Sequence, residues 1–147
     1  MPVTTWAKKT AERIITLEGE RADGIVRSEE EKRLLLHHAP RRWQELREWL
    51  RTSCDTLNDE TGRKILEFEV WPVSQAKIRR IEHPALLQIE FGQEACRVWY
   101  SCGAGMGEYQ FGVNAEGAVV FQDAYHREFS VEKIGETLLN LLLESQF

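Results

Sequence analysis

Between residues 64 and 129 the side chains alternate apolar and polar with a period of two, in short runs separated by turns rich in Gly, Pro and Asn. A period of two sends successive side chains to opposite faces of a strand, so this stretch is committed to a sheet before anything else is known about the chain. Candidate strands fall at residues 64–71, 76–82, 85–91, 95–102, 107–113 and 118–123. In the first, Leu66, Phe68 and Val70 oppose Glu67 and Glu69; in the third, Leu87, Ile89 and Phe91 oppose Gln88 and Glu90. In the fifth, Tyr109, Phe111 and Val113 oppose Glu108 and Gln110. A parallel sheet covered on both sides reads as continuous apolar runs, so the alternation predicts an antiparallel meander with one face on helices and the other largely in water. Residues 114–117 supply a four-residue hairpin connection.

The flanking segments change period. Trp6, Thr10, Ile14 and Leu17 repeat at helical spacing, and the polar run from Gly19 to Gly24 predicts a break. Ser28, with Glu31 three residues on, has the form of a capping box opening a second helix through Leu34, Leu35 and Leu36. Pro40 suits a first helical turn, which predicts a third helix over 40–57 with Trp43, Leu46, Leu50, Cys54 and Leu57 on one stripe. The last segment, 130–147, has Ser130 as N-cap and Glu132 in the first turn, where the helix dipole favours an anion. The expected architecture is α+β, with N-terminal helices and one C-terminal helix on a five- to six-stranded antiparallel meander. A small β-barrel capped by the last helix is the alternative, because residues 125–129 can form one more strand.

At 147 residues the chain fits one domain, divided as a helical layer (1–62), a sheet (63–129) and a terminal helix (130–147). Lys8, Lys9 and Glu12 stand where a signal peptide would place an apolar run, and Cys54, Cys96 and Cys102 are too few and too unevenly placed for a disulfide framework. The expectation is a cytoplasmic, reduced protein. The apolar run at 138–143 falls far short of the ~20 residues that span a bilayer, which argues against a membrane partner. Residues 1–63 balance twelve Lys and Arg against twelve Asp and Glu, whereas residues 64–147 set seven against twelve and carry the net charge of -5. An acidic sheet argues against nucleic acid, which is met by clustered Lys and Arg. Arg41, Arg42, Arg47 and Arg51 are interleaved with Glu45 and Glu48, as on a solvated helix face.

No catalytic constellation stands out. Gly103, Gly105 and Gly107 alternate rather than following the dinucleotide-binding spacing, and no helix directly follows them to present amides to a phosphate. They read as a hairpin between strands, or as a loop that closes over a ligand. Cys102 beside that loop is the one conceivable nucleophile, with His83 or His126 as a distant base. Cys96 and Cys102, about 20 Å apart along a strand, cannot pair, and Cys96 is expected to be buried with Val98 and Tyr100. No Cys-x-x-Cys or His-Glu-x-x-His spacing exists, adjacent His37 and His38 diverge on a helix, and neither a metal nor a cofactor is expected.

Two surfaces remain. If Val98 and Tyr100 face the core, Trp99 and Arg97 stand on the polar face among Glu67, Glu69 and Glu90, with Trp71 nearby if the strands neighbour in that register. An aromatic side chain ringed by charge is a common partner anchor. The alternative is that helices cover this face too and both tryptophans are core. In the last helix, Leu139 and Leu143 lie on the row of Glu132 and Glu136, so its apolar face widens toward solvent. Those leucines either meet a partner or are covered within the monomer. The expected function is a small noncatalytic protein-interaction module, self-associating or binding another protein; the alternative is a small-molecule-binding or enzymatic domain with a pocket between helices and sheet.

Overall fold

The computed structural model describes the backbone of residues 2–69, 72–103 and 105–144, and within those ranges the side chains of residues 10, 11 and 29 onward. The elements run α1 (Pro2–Thr61), β1 (Leu66–Glu69), β2 (Gln75–Arg80), β3 (Leu86–Gly92), β4 (Arg97–Cys102), β5 (Gly105–Val113), β6 (Val119–Gln122), β7 (Glu128–Phe129) and α2 (Val131–Leu143). Two compact units are present, Met1–Arg33 and Leu34–Phe147.

The first unit is helical from Pro2. The stripe through Trp6, Ile14 and Leu17 and the side chain of Ser28 lie outside the described residues. The breaks expected at Gly19 and before Ser28 are absent, so one helix replaces three. Glycine costs a helix only ~1 kcal/mol against alanine and does not by itself end one.

In the second unit Pro40 also lies inside the helix rather than at its start. It leaves the carbonyl four residues back, on exposed Leu36, without an amide donor, and water can take that place. Packing holds the helix together across it: Ala39, Trp43, Leu46, Leu50 and Cys54 are all buried at helical spacing. Each fully buried large apolar side chain is worth ~1.5–3 kcal/mol, so the stripe outweighs one proline.

The sheet has seven strands in sequence order, each antiparallel to the next. The α+β class therefore stands, with β7 as the added strand. The first and last strands do not pair with each other, which leaves an open sheet and removes the barrel alternative. Asn114 builds the β5–β6 turn as expected, its Oδ1 accepting from the amides of Glu116 and Ala118, with Gly117 at φ +78°.

The register places Ile78, Leu87 and Cys102 in one row, Ala76, Ile89 and Tyr100 in the next, and Phe91, Val98 and Tyr109 in a third. These rows share one face, and both helices of this unit pack on it. Trp43 of α1 stacks on Phe91 at 5.8 Å, while the Cys102 thiol points at the Leu141 carbonyl of α2, 4.0 Å away.

Polar anchors fix α1 across the strands. The Trp43 indole donates to the Val73 carbonyl (2.9 Å), Arg47 Nε to that of Gln75 (3.2 Å) and Arg42 Nε to that of Val119 (2.8 Å). Near the end of α1, Asn58 Oδ1 accepts from the amides of Ile65 and Leu66 (2.7 and 3.0 Å), and its Nδ2 donates to the Leu66 carbonyl (2.9 Å). One side chain thus satisfies edge-strand groups that otherwise face water.

The cap of α2 is as read, with Ser130 Oγ accepting from the Lys133 amide at 3.1 Å. Its leucine edge follows the second of the two readings, coverage within the monomer. Leu139 is buried and Leu143 packs against the core. The cause lies one turn earlier: a Cβ on Gly135 would collide with the Trp49 ring of α1, so the missing side chain lets the helices approach closely. Leu139, four residues on, faces the same seam. The widened apolar face meets the protein's own helix.

Candidate functional site

The opposite face of the sheet carries no helix among the described residues of this unit. Register defines its rows. Glu69, Lys77, Gln88, Ser101 and Met106 follow one another across β1 to β5. Beside them run Gln75, Glu90, Trp99 and Glu108 across β2 to β5. The third row is Gly92, Arg97, Gln110 and Gln122.

Trp99 is central and 39% exposed. Its direct cross-strand neighbours are both carboxylates, Glu90 and Glu108. Neighbours in such a pairing stand with Cβ atoms ~4.5–5.5 Å apart, within easy reach of an indole. The six-membered ring leans over Gly92, where a Cβ would meet Cη2 at 2.7 Å. A larger residue at 92 would push the indole upright; glycine lets it recline, with part of its surface open to water.

Leaning that way, Trp99 forms one wall of a groove of about 590 Å³ whose lining includes Lys77, Gln88, Glu90, Ser101, Met106 and Glu108. Met106 is 80% exposed. The volume falls within the ~300–1,000 Å³ of ligand sites, and the lining combines apolar walls with a few polar groups. Arg97 Nη1 bridges both Glu108 carboxylate oxygens (3.2 and 3.3 Å), and Arg79 pairs with Glu67. That second pair holds the Glu67 carboxyl below its ordinary range, chiefly through the Arg79 hydrogen bond and then the Lys64 charge.

The expected candidates separate in space. Trp99 and Arg97 lie together on this face as read. Trp71 lies outside the described residues. Leu139 and Leu143 belong to the helical side of the sheet. Of the glycine stretch, only Gly103 is a turn residue, at φ +60°; Gly105 and Gly107 are strand residues paired with Cys102 and Tyr100. Gly107 makes room for the Tyr100 ring, which stacks on Tyr109 at 5.7 Å. The stretch is the hairpin between strands read from the sequence, with Gly103 in its turn and Gly107 serving packing.

Cys102 is buried on the helical side of the sheet. His126, at φ +62°, sits in the β6–β7 turn with Nδ1 3.3 Å from Gln110 Nε2 and 3.4 Å from Gln122 Oε1. Gln110 lies five residues along β5 from Gly105, the partner of Cys102, which is roughly 17 Å at ~3.3 Å per residue. Cys102 and His126 therefore form no catalytic pair.

Cys96 departs from its reading. It is a turn residue at φ +51°, half-buried, with its thiol 3.4 Å from the Gln93 carbonyl. The left-handed residue breaks the alternation that would have carried it into the core. Cys54 is buried and its thiol is pushed up to about 12, by burial first and by neighbouring Asp55 second. Among the described residues no group of three metal-ligating side chains lies together, and no helix is long and apolar enough to cross a membrane.

Sequence reasoning missed Met106, Gln88, Lys77 and Gln75 as members of this surface. Met106 sat inside an assumed loop, and the signal that could have placed it is the turn glycine Gly103, after which Gly105 pairs with Cys102 and Met106 falls opposite Ser101. No protein-family model, curated protein or solved structure matches the chain.

Proposed function

We propose that this chain is a small noncatalytic binding module that engages a protein partner, or a second copy of itself, through the open β2–β5 face with Trp99 at its centre. The observation that carries the reading is an indole reclined over Gly92 and left exposed in a groove that it shares with exposed Met106 and several polar side chains. Trp is among the residues that most often dominate binding energy, because it offers a large rigid surface at low entropic cost. Self-association through Leu139 and Leu143 is not part of the proposal, since those side chains pack inward. A cytoplasmic site of action belongs to the same proposal, supported by three cysteines too few and too unevenly placed for a disulfide framework.

A second reading has one observation in its favour: the size of the groove admits a small molecule as readily as a protein segment. The buried thiol of Cys102 lies on the other face and takes no part in either. Native mass spectrometry of the wild-type chain and of Trp99→Ala separates the outcomes. A dimer or heteromeric complex that the substitution abolishes supports the proposal. Complexes that survive it intact count against this face, and a reproducible small-molecule adduct lost with Trp99 favours the second reading.

A further inference from the structure

We infer that the Trp99 groove is a seat for a cationic side chain, and that its occupant is an arginine- or lysine-bearing segment of a partner protein. The inference rests on the open-face binding reading and adds the chemistry of what is recognised. An indole face carries negative quadrupolar charge and attracts ammonium and guanidinium groups. Here the indole stands directly between two carboxylates across the strands, Glu90 on β3 and Glu108 on β5. The row thus presents negative, aromatic and negative groups in line, which complements a single cation laid on the ring.

The surrounding charges are consistent with that occupant. Glu108 already holds a guanidinium, that of Arg97, in an exposed pair with each side chain nearly half open to water. Such a pair is weak and exchanges readily with an incoming cation. Glu90 has no ion pair among the described residues. Lys77, the one cation lining the groove among the described residues, belongs to the adjacent row, where its cross-strand partner on β1 is Glu69. Gln75, Gln88 and Ser101 add neutral donors and acceptors along the floor, suited to the main chain of an extended segment. The net charge of -5, all of it in residues 64–147, draws basic segments toward this half of the chain.

The test uses the full chain, labelled with nitrogen-15, and three blocked peptides of a Gly-Ser framework carrying two arginines, two glutamines or two glutamates. The arginine peptide is expected to shift the Trp99 indole resonance and the Glu90 and Glu108 amides, with affinity that falls as salt is raised. Glu90→Gln and Glu108→Gln are each expected to weaken it about 3- to 10-fold, and Trp99→Leu about 10-fold. The two glutamine variants change exposed side chains, and an unchanged amide spectrum elsewhere establishes that they fold. Equal or larger indole shifts with the glutamine or glutamate peptide overturn the cation inference and leave the open-face reading standing. No shift with any peptide also overturns it, and the native mass spectra, which do not depend on the charge of the occupant, then decide whether the broader reading falls too.

Discussion

The ring of Trp99 lies across Gly92, with Cη2 2.7 Å from where a Cβ on residue 92 would be. The two residues are diagonal neighbours on β3 and β4, and the glycine sets the tilt of the indole. Gly92→Ala forces the half-exposed ring to swing away, which an exposed ring can do at small cost. Stability is expected to change by less than about 1 kcal/mol, while the Trp99 indole resonance moves and partner binding falls. A variant that binds like wild type separates the tilt from recognition.

Gly135 makes the opposite prediction. Alanine there gains ~1 kcal/mol of helix propensity, yet its Cβ meets the Trp49 ring between two packed helices. Overpacking costs ~1–3 kcal/mol, so Gly135→Ala is expected to be net destabilising in urea melts. The penalty should shrink or reverse in a Trp49→Ala background. Equal effects in both backgrounds would show that the two residues are not coupled.

Asn58 ties the end of α1 to the edge strand through three hydrogen bonds. Asn58→Ala leaves two partly buried amides and a carbonyl without these partners, and about 2–3 kcal/mol of stability should be lost. Asn58→Asp keeps the acceptor for both amides and loses only the donor to Leu66. It is expected to fall between the other two in a denaturant titration, and an aspartate no better than alanine would contradict this assignment.

Asp123 accepts from the Tyr125 and Arg127 amides and from the Arg127 side chain. Partial desolvation pushes its carboxyl up, but the hydrogen bonds to Arg127 and Tyr125 outweigh it, and the net position is below the ordinary value of 3.8. A carboxyl lowered in the folded state stabilises above its unfolded value and loses that contribution as pH falls through the folded one. Glu67 follows the same sign. Stability should therefore decline below about pH 4, and Asp123→Asn should flatten that decline when unfolding is followed from pH 5 to pH 2.

The three thiols differ in access. Cys54 is buried and its thiol sits near 12, Cys102 is buried under α2, and Cys96 is half-buried in a turn. Iodoacetamide at pH 8 is expected to label Cys96 first in the native protein, with Cys54 and Cys102 protected until unfolding. Peptide mapping of the labelled protein reads the order directly, and early labelling of Cys54 would contradict the α1 packing.

The sheet was legible because its alternation is strong in β1, β3 and β5, and parity put Trp99 on the face opposite Val98 and Tyr100. Whether helices covered that face was not legible in any one strand. The helical half was less so. Gly19, Ser28 and Pro40 are genuine local stop and start signals, yet the stripe from Ala39 to Cys54 packs on the sheet and carries the helix through Pro40. Leu139 looked solvent-facing because nothing local reveals that Trp49 closes over Gly135. Cys96 was misplaced because one left-handed residue resets the period of two. The groove depends on register across four strands, and no single strand contains it.

The central claim is that the open face around Trp99 is covered when the protein acts. Hydroxyl-radical footprinting tests it with an internal control, because Met106 on that face and Tyr125 in the β6–β7 turn are about equally exposed, at 80% and 79%. The purified chain is compared with itself at high concentration and in extract of its source cells. The account predicts protection of Met106 and Trp99 with Tyr125 unchanged in at least one of the two. Oxidation of Met106 at the same rate in both as in the dilute protein would contradict it.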